Sequence, residues 1–128
     1  MYITKKNSGL ATSRNTGLKN STSEFFTCVD SDDTVDINAY EKAIEKITDD
    51  VDFLCFGIQS YGSQSEKAQK ADDEYYAVKF NGKTQITEEV LAQTDVSSCN
   101  KIFRKPLVEK FNLSYPDGLR YYWTPDIM

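Results

Sequence analysis

Three carboxylates within four positions are the residues of this sequence best suited to chemistry. Asp30, Asp32 and Asp33 come directly after the apolar run 25–29. A folded protein tolerates such crowding of negative charge where a cation or hydrogen-bond donors compensate it. Hard oxygen ligands at the end of a buried strand suit Mg²⁺ or Mn²⁺ carried in with a phosphate-bearing ligand. A solvated acidic turn that caps the next helix is the alternative interpretation.

The same acids also fit part of a calcium-binding loop. Numbered from Asp30, residues 30–41 place acids at positions one, three and twelve and isoleucine at position eight, as in an EF-hand. Position six is Val35, where that loop requires glycine for its sharp turn. The preceding residues also have the pattern of a strand. The EF-hand is therefore a minor alternative.

The residues before the acids predict a helix followed by a strand. Residues 7–22 open with a turn signal and place Leu10, Arg14 and Leu18 on one helical face. Because Arg14 shares that face with apolar residues, we expect it to be half-buried and paired with a carboxylate or a phosphate. A surface arginine whose stem lies on the core is the alternative. Acids at the carboxyl end of a strand are typical of nucleotide sites in open α/β sheets.

The remaining elements follow an α/β pattern. Hydrophobic periodicity predicts strands over 23–29 and 51–58 and an amphipathic helix over 36–48. The polar stretch 59–73 predicts an exposed loop, and residues 74–80 predict a strand that a turn at Asn81-Gly82 closes into a hairpin. Further along, we expect a short helix at 86–94, a loop or short strand at 97–103, and a helix from Lys105 to Phe111 with Pro106 in its first turn.

Bulk properties limit the function classes. A chain of 128 residues forms one modest domain, and its net charge of −5 argues against a nucleic-acid partner. No signal segment or membrane-spanning run is present, which predicts a cytoplasmic protein. The sequence has no histidine, so Ser-His and Cys-His nucleophile pairs and histidine metal sites are excluded. Cys28, Cys55 and Cys99 are widely spaced and are interpreted as reduced core thiols.

Four segments carry a resemblance to a known family, and they occur in its order and spacing. They are 7–18, with Asn-Ser-Gly-Leu and Arg-Asn-Thr-Gly-Leu; 26–33, Phe-Thr-Cys-Val-Asp-Ser-Asp-Asp; 99–105, Cys-Asn-Lys-Ile-Phe-Arg-Lys; and 112–119, Asn-Leu-Ser-Tyr-Pro-Asp-Gly-Leu. Together they resemble the family 2 glycosyltransferases of bacterial cell-surface polysaccharide synthesis. Arg-Asn-x-Gly followed by Asp-x-Asp-Asp is the most specific part.

The resemblance implies a GT-A fold, an α/β, Rossmann-like nucleotide-diphospho-sugar transferase fold. It implies that Asp30 and Asp32 contact a divalent cation, Mn²⁺ or Mg²⁺, or the ribose of the donor. The donor pocket implied by the family positions is formed by Asn7, Arg14, Asn15, Asp30 and Asp33, and Lys101 lies on the acceptor side. The implied reaction moves a sugar from a nucleotide-diphosphate donor to a saccharide or lipid-linked saccharide acceptor.

Two departures from the family pattern accompany the resemblance. The family domain begins with a β-α-β stretch that precedes the position of Met1, so we expect residues 1–128 to be a single domain equivalent to its C-terminal portion. The family base is an aspartate shortly after the Pro-x-Gly segment, where this chain has Tyr122-Trp123. Asp126 is the candidate substitute. A non-catalytic module, a homo-dimer paired through an exposed sheet edge, and peripheral association with the inner face of the membrane are open alternatives.

Overall fold

The computed structural model describes residues 1–62, 65–80 and 82–116. These residues form a small mixed α/β fold, which confirms the predicted class. The helices are α1 (Leu10–Asn20), α2 (Ala39–Ile44), α3 (Glu66–Tyr75), α4 (Glu88–Gln93) and α5 (Lys105–Lys110), and the strands are β1 (Phe25–Thr27), β2 (Phe53–Cys55) and β3 (Lys101–Arg104). No helix within these ranges is both long enough and apolar enough to cross a membrane.

The sheet brings the ends of three chain segments together, at the carboxyl ends of β1 and β2. Its strand order is β1-β3-β2, and β3 is antiparallel to both neighbours, so β1 and β2 run in the same direction. Ile102 pairs with Thr27, and Lys101 pairs with Cys55. The beginning of β3 therefore lies beside the carboxyl ends of β1 and β2. Because of this register, the loop before β3 and the acidic turn after β1 lie at the same end of the strands.

Aromatic and aliphatic side chains on opposite faces hold the sheet together. Phe26, Phe103 and Phe53 lie opposite one another in register, with ring centroids 5.3 Å and 5.8 Å apart. Ile102 points to the other face of the sheet, since successive strand side chains alternate, and is 4% exposed. The buried apolar residues within the described ranges are Ala43, Ile102 and Val108.

Arg104 stabilises the end of the sheet opposite the acids. Its Nε donates to the carbonyl of Val51 at 3.1 Å, and its Nη2 donates to the carbonyl of Thr48 at 3.0 Å. Its Nη1 forms an ion pair with Glu24, the residue before β1. A single guanidinium thus joins β3 to the start of β1 and to the turn that follows α2.

Most of the predicted elements are confirmed, and two adjacent segments are wrong. The segment 59–73, predicted as a loop, contains the start of α3. The half-buried positions of this helix are Ala68, Gln69 and Asp72, so its inward face is mostly polar and the helix as a whole is hydrophilic. The sequence did contain a signal for the start of a helix. This signal is Ser65, whose hydroxyl accepts a hydrogen bond from the amide of Ala68 at 3.2 Å.

The strand predicted over 74–80 is also wrong. Glu74 and Tyr75 are the last residues of α3, and residues 76–80 join no strand of the sheet. β-forming residues make a strand only where a neighbouring strand and a buried face receive them. Asn81 of the predicted hairpin turn lies outside the described residues. The EF-hand alternative lacks its first helix, since β1 precedes Asp30.

Candidate functional site

The acids that follow β1 fold back on themselves. The amide of Asp33 donates to the carbonyl of Asp30 at 3.1 Å, which closes a turn and returns Asp33 to the neighbourhood of Asp30. Cys99, in the loop before β3, completes the group, and ligand atoms of Asp30, Asp33 and Cys99 all lie within 4.8 Å of one another. We call these three residues the acidic cluster. Asp32 is exposed and lies outside it.

Arg14 extends from α1 into the acidic cluster. Its Nη2 lies 2.9 Å from Asp30 Oδ1 and 3.7 Å from Cys99 Sγ. The guanidinium carbon lies 5.4 Å from the centre of the Tyr115 ring. The Arg14 side chain is 18% exposed and that of Asp30 is 40% exposed. The predicted half-buried arginine with a carboxylate partner is therefore confirmed.

Asn15 holds Tyr115 in place beside Arg14. Its Nδ2 donates to the carbonyl of Tyr115 at 2.8 Å, and its Oδ1 accepts from the amide of Tyr115 at 2.8 Å. The Tyr115 hydroxyl lies 3.3 Å from Cys28 Sγ. Asn7 lies further away along the chain, where its Oδ1 accepts from the amide of Gly9 at 3.1 Å and shapes the turn before α1. Asn15 thus acts on the cluster through Tyr115.

The protonation of the cluster follows from its half-buried setting. Burial lowers the pKa of Arg14, but the hydrogen bond to Asp30 and the charge of Asp30 outweigh it, so the pKa is raised. Burial, followed by the charge of Asp30, raises the pKa of the Cys99 thiol. Burial and then the hydrogen bond with Cys28 raise the pKa of Tyr115 to about 12. At neutral pH Arg14 is charged and Cys99 and Tyr115 are neutral.

A second charged group joins the two ends of the loop that carries Cys99. Lys101 Nζ donates to the carbonyl of Asp95 at 2.9 Å, to Asp95 Oδ1 at 3.2 Å, to the carbonyl of Ser97 at 2.5 Å and to Asn100 Oδ1 at 2.9 Å. Asn100 Nδ2 donates to Asp95 Oδ2 at 2.9 Å. The side chains of Lys101 and Asp95 are 9% and 10% exposed. These contacts fix the loop that carries Cys99.

Lys101 was predicted on the acceptor side from the family resemblance, and that role stays a prediction. The observed hydrogen bonds of its ammonium are all with the loop that it ends. Sequence reasoning missed Asp95 as its partner, although a lysine inside an apolar strand requires a buried acceptor nearby. It also missed Tyr115 as the ring beside Arg14, because no spacing rule links residues so far apart in the chain. Asp126, the candidate base, lies outside the described residues, as do Tyr122 and Trp123.

The donor atoms of the acidic cluster are chemically suited to a divalent cation. The carboxylates of Asp30 and Asp33 are the hard oxygen ligands that Mg²⁺ and Mn²⁺ prefer. The thiol of Cys99 is a softer ligand that favours later transition metals. Arg14 supplies one positive charge, whereas Asp30 and Asp33 supply two carboxylates. The cluster therefore retains net negative charge.

Comparison with known proteins identifies the family. The model of glycosyl transferase family 2 matches residues 1–111. The chain belongs to this family. The three-stranded sheet and its helices are consistent with a partial GT-A fold, so both the predicted family and the predicted fold class are confirmed. No solved structure matches the chain.

Two curated relatives of this family 2 chain are named as glycosyltransferases. EpsH of Bacillus subtilis (strain 168) is 26% identical over 117 residues, which are 89% of this chain and 33% of EpsH. GlyA of Streptococcus pneumoniae serotype 4 (strain ATCC BAA-334 / TIGR4) is 27% identical over 118 residues, which are 86% of this chain and 17% of GlyA. The chain therefore spans a third or less of the length of these two relatives.

Proposed function

We propose that this family 2 chain transfers a sugar from a nucleotide-diphosphate donor to a saccharide or lipid-linked saccharide acceptor. Family membership supports glycosyl transfer at the general level. The observation that carries the finer proposal is the meeting of Asp30, Asp33 and Arg14 at the end of β1. Carboxylates for a cation and a guanidinium for phosphate are the side chains that a nucleotide diphosphate requires.

In this proposal the charge of each side chain determines which part of the donor complex it binds. Asp30 and Asp33 hold Mg²⁺ or Mn²⁺, and exposed Asp32 reaches the same ion or the ribose of the donor. When bound, the cation supplies Lewis-acid stabilisation of the charge that develops on the departing diphosphate. Arg14 provides a planar donor pair for a phosphate group. Asp126 is the proposed base that takes the proton from the acceptor hydroxyl.

Calorimetric titration with UDP and Mn²⁺ tests the donor site. We expect UDP binding that depends on Mn²⁺ and that falls at least about tenfold in Asp30→Asn and in Asp32→Asn, the size of loss typical when a metal site is disturbed. Asp49→Asn is the matched control, because it removes one charge from an exposed acid outside the cluster. Equal affinities in all four proteins would refute the assignment of the acids.

Release of the nucleoside diphosphate from a panel of nucleotide sugars tests the reaction. Metal-dependent release in the wild type, lost in Asp30→Asn, supports transferase activity. Metal-dependent UDP binding without release from any sugar nucleotide favours the alternative of a non-catalytic module. Sedimentation of the protein alone and with anionic vesicles tests the two further proposals, a homo-dimer and association with the inner face of the membrane.

A further inference from the structure

Arg14 occupies the place in the acidic cluster where positive charge is required. Its Nη2 hydrogen bonds to Asp30 Oδ1 and reaches Cys99 Sγ, two of the three groups that offer ligand atoms there. Within residues 1–62, 65–80 and 82–116, no other basic side chain forms an ion pair with Asp30 or Asp33. The guanidinium is thus the resident counter-charge of the cluster.

We propose that Arg14 competes with the divalent cation for Asp30, so that the cation binds well only when a nucleotide diphosphate gives Arg14 another anionic partner. This inference rests on the proposed function. A guanidinium and a divalent cation that share one carboxylate repel each other, and the burial of Arg14 limits screening of that repulsion. Arg14 therefore links the two ligands: each one makes binding of the other more favourable.

Arg14 is held so that it can exchange one anion for another. Its ring partner Tyr115 is fixed by two hydrogen bonds to Asn15, and this contact does not depend on Asp30. A guanidinium lying against an aromatic ring keeps its edge free for planar anions such as carboxylate and phosphate. Loss of the Asp30 contact would therefore leave Arg14 at the site, with its donors directed to a phosphate.

Binding of Mn²⁺, followed by the electron paramagnetic resonance signal of the free ion, tests the competition without any activity measurement. In the wild type we expect weak binding of Mn²⁺ alone and tighter binding with UDP. In Arg14→Gln we expect Mn²⁺ alone to bind about fivefold more tightly, as for loss of a half-buried ion pair, and UDP to add little. Unchanged or weaker binding of Mn²⁺ alone in Arg14→Gln would overturn the proposal.

Lys83→Gln is the matched control for the change in net charge. Lys83 forms an exposed ion pair with Asp50 at 2.6 Å, and neither residue belongs to the cluster. We expect this variant to bind Mn²⁺ like the wild type. A rise equal to that of Arg14→Gln would show an effect of overall charge and would overturn the proposal. If the wild type binds Mn²⁺ and fails to bind UDP, the proposed function fails, while the competition at Asp30 is still decided by Arg14→Gln.

A measurement on the wild type covers the case in which Arg14→Gln does not fold. The sequence contains three arginines, Arg14, Arg104 and Arg120, so their side-chain Nε–H signals can be assigned by nuclear magnetic resonance. Addition of Mg²⁺ should shift the Arg14 signal, while Arg104, paired with Glu24, serves as the internal reference. Saturating Mg²⁺ that leaves the Arg14 signal in place would overturn the proposal.

Discussion

The loop before β3 carries Cys99 of the acidic cluster and is closed by the Asp95–Lys101 pair, and these two charged groups differ in how their charges are satisfied. Asp95 and Lys101 form a nearly buried pair in which the ammonium has four acceptors. Asp30 pairs with one cation, Arg14, Asp33 has no ion pair within the described residues, and the Asp30 side chain is 40% exposed. The first group balances its charges internally and fixes the loop. The second retains negative charge where solvent can reach it, which suits the binding of a cation.

Lys101→Met should produce the largest effect, because it removes only the cation of the balanced pair. Breaking a buried pair from one side leaves an uncompensated charge and costs about 3–5 kcal/mol. We expect urea unfolding to show a loss of this size. Lys83→Met, which breaks the exposed pair with Asp50, should leave the free energy of unfolding nearly unchanged, because exposed ion pairs contribute little to stability. Equal losses in the two variants would mean that the Asp95–Lys101 pair is solvated in solution.

Asp33→Asn tests whether the acids after β1 serve ligand binding rather than stability. Asp33 is exposed and has no ion pair within the described residues, so its loss removes repulsion with Asp30. We expect the free energy of unfolding to stay within about 0.5 kcal/mol of the wild-type value, while Mn²⁺ affinity measured by calorimetry falls about tenfold. A destabilisation comparable to that of Lys101→Met would make Asp33 a structural residue and remove the contrast between the two groups.

The contrast also marks how far sequence reasoning reached. The helical face of Arg14 and the acids after a strand are local patterns, and both lie where they were predicted. Cys99 and Tyr115 reach the same cluster only because β3 lies between β1 and β2 and because Asn15 binds the Tyr115 backbone. Such contacts depend on strand order and on single hydrogen bonds between distant residues, which leave no periodic signal.

Helix α3 was missed for a different physical reason. Its half-buried side includes Gln69 and Asp72, whose hydrogen bonds to Ser60 replace apolar packing. A helix that packs through polar groups contains few apolar residues, so its composition is that of a loop. The serine cap at Ser65 was the available signal, and it is weak without a following apolar pattern.

The reactivity of Cys99 should report the electrostatics of the cluster. Burial and the charge of Asp30 raise the pKa of this thiol, whereas the charge of Arg14 lowers it. Alkylation by iodoacetamide, followed by peptide mass spectrometry, should therefore have its midpoint at higher pH than for an ordinary cysteine, near 8.5. In Arg14→Gln we expect the midpoint to rise further. A lower midpoint in this variant would place Arg14 away from Cys99 in solution.

Tyr115→Phe should have the smallest effect, and its pH dependence gives the test. The pKa of Tyr115 is raised to about 12 by burial and by the hydrogen bond with Cys28, against about 10 in an unfolded chain. Between these values the unfolded chain releases the phenolic proton first. The stabilisation from Tyr115 is therefore fully present below pH about 10 and is lost as the pH rises to about 12.

At neutral pH, Tyr115→Phe loses one hydrogen bond, and we expect a cost of about 1 kcal/mol or less. Above pH about 10 the free energy of unfolding of the wild type should fall more steeply than that of the variant, so the two values should converge and then cross. Urea titrations under reducing conditions across this range measure both slopes. Parallel slopes would mean that the Tyr115 phenol is solvated and makes no hydrogen bond with Cys28 in solution, so that the backbone contacts with Asn15 alone would hold the ring beside Arg14.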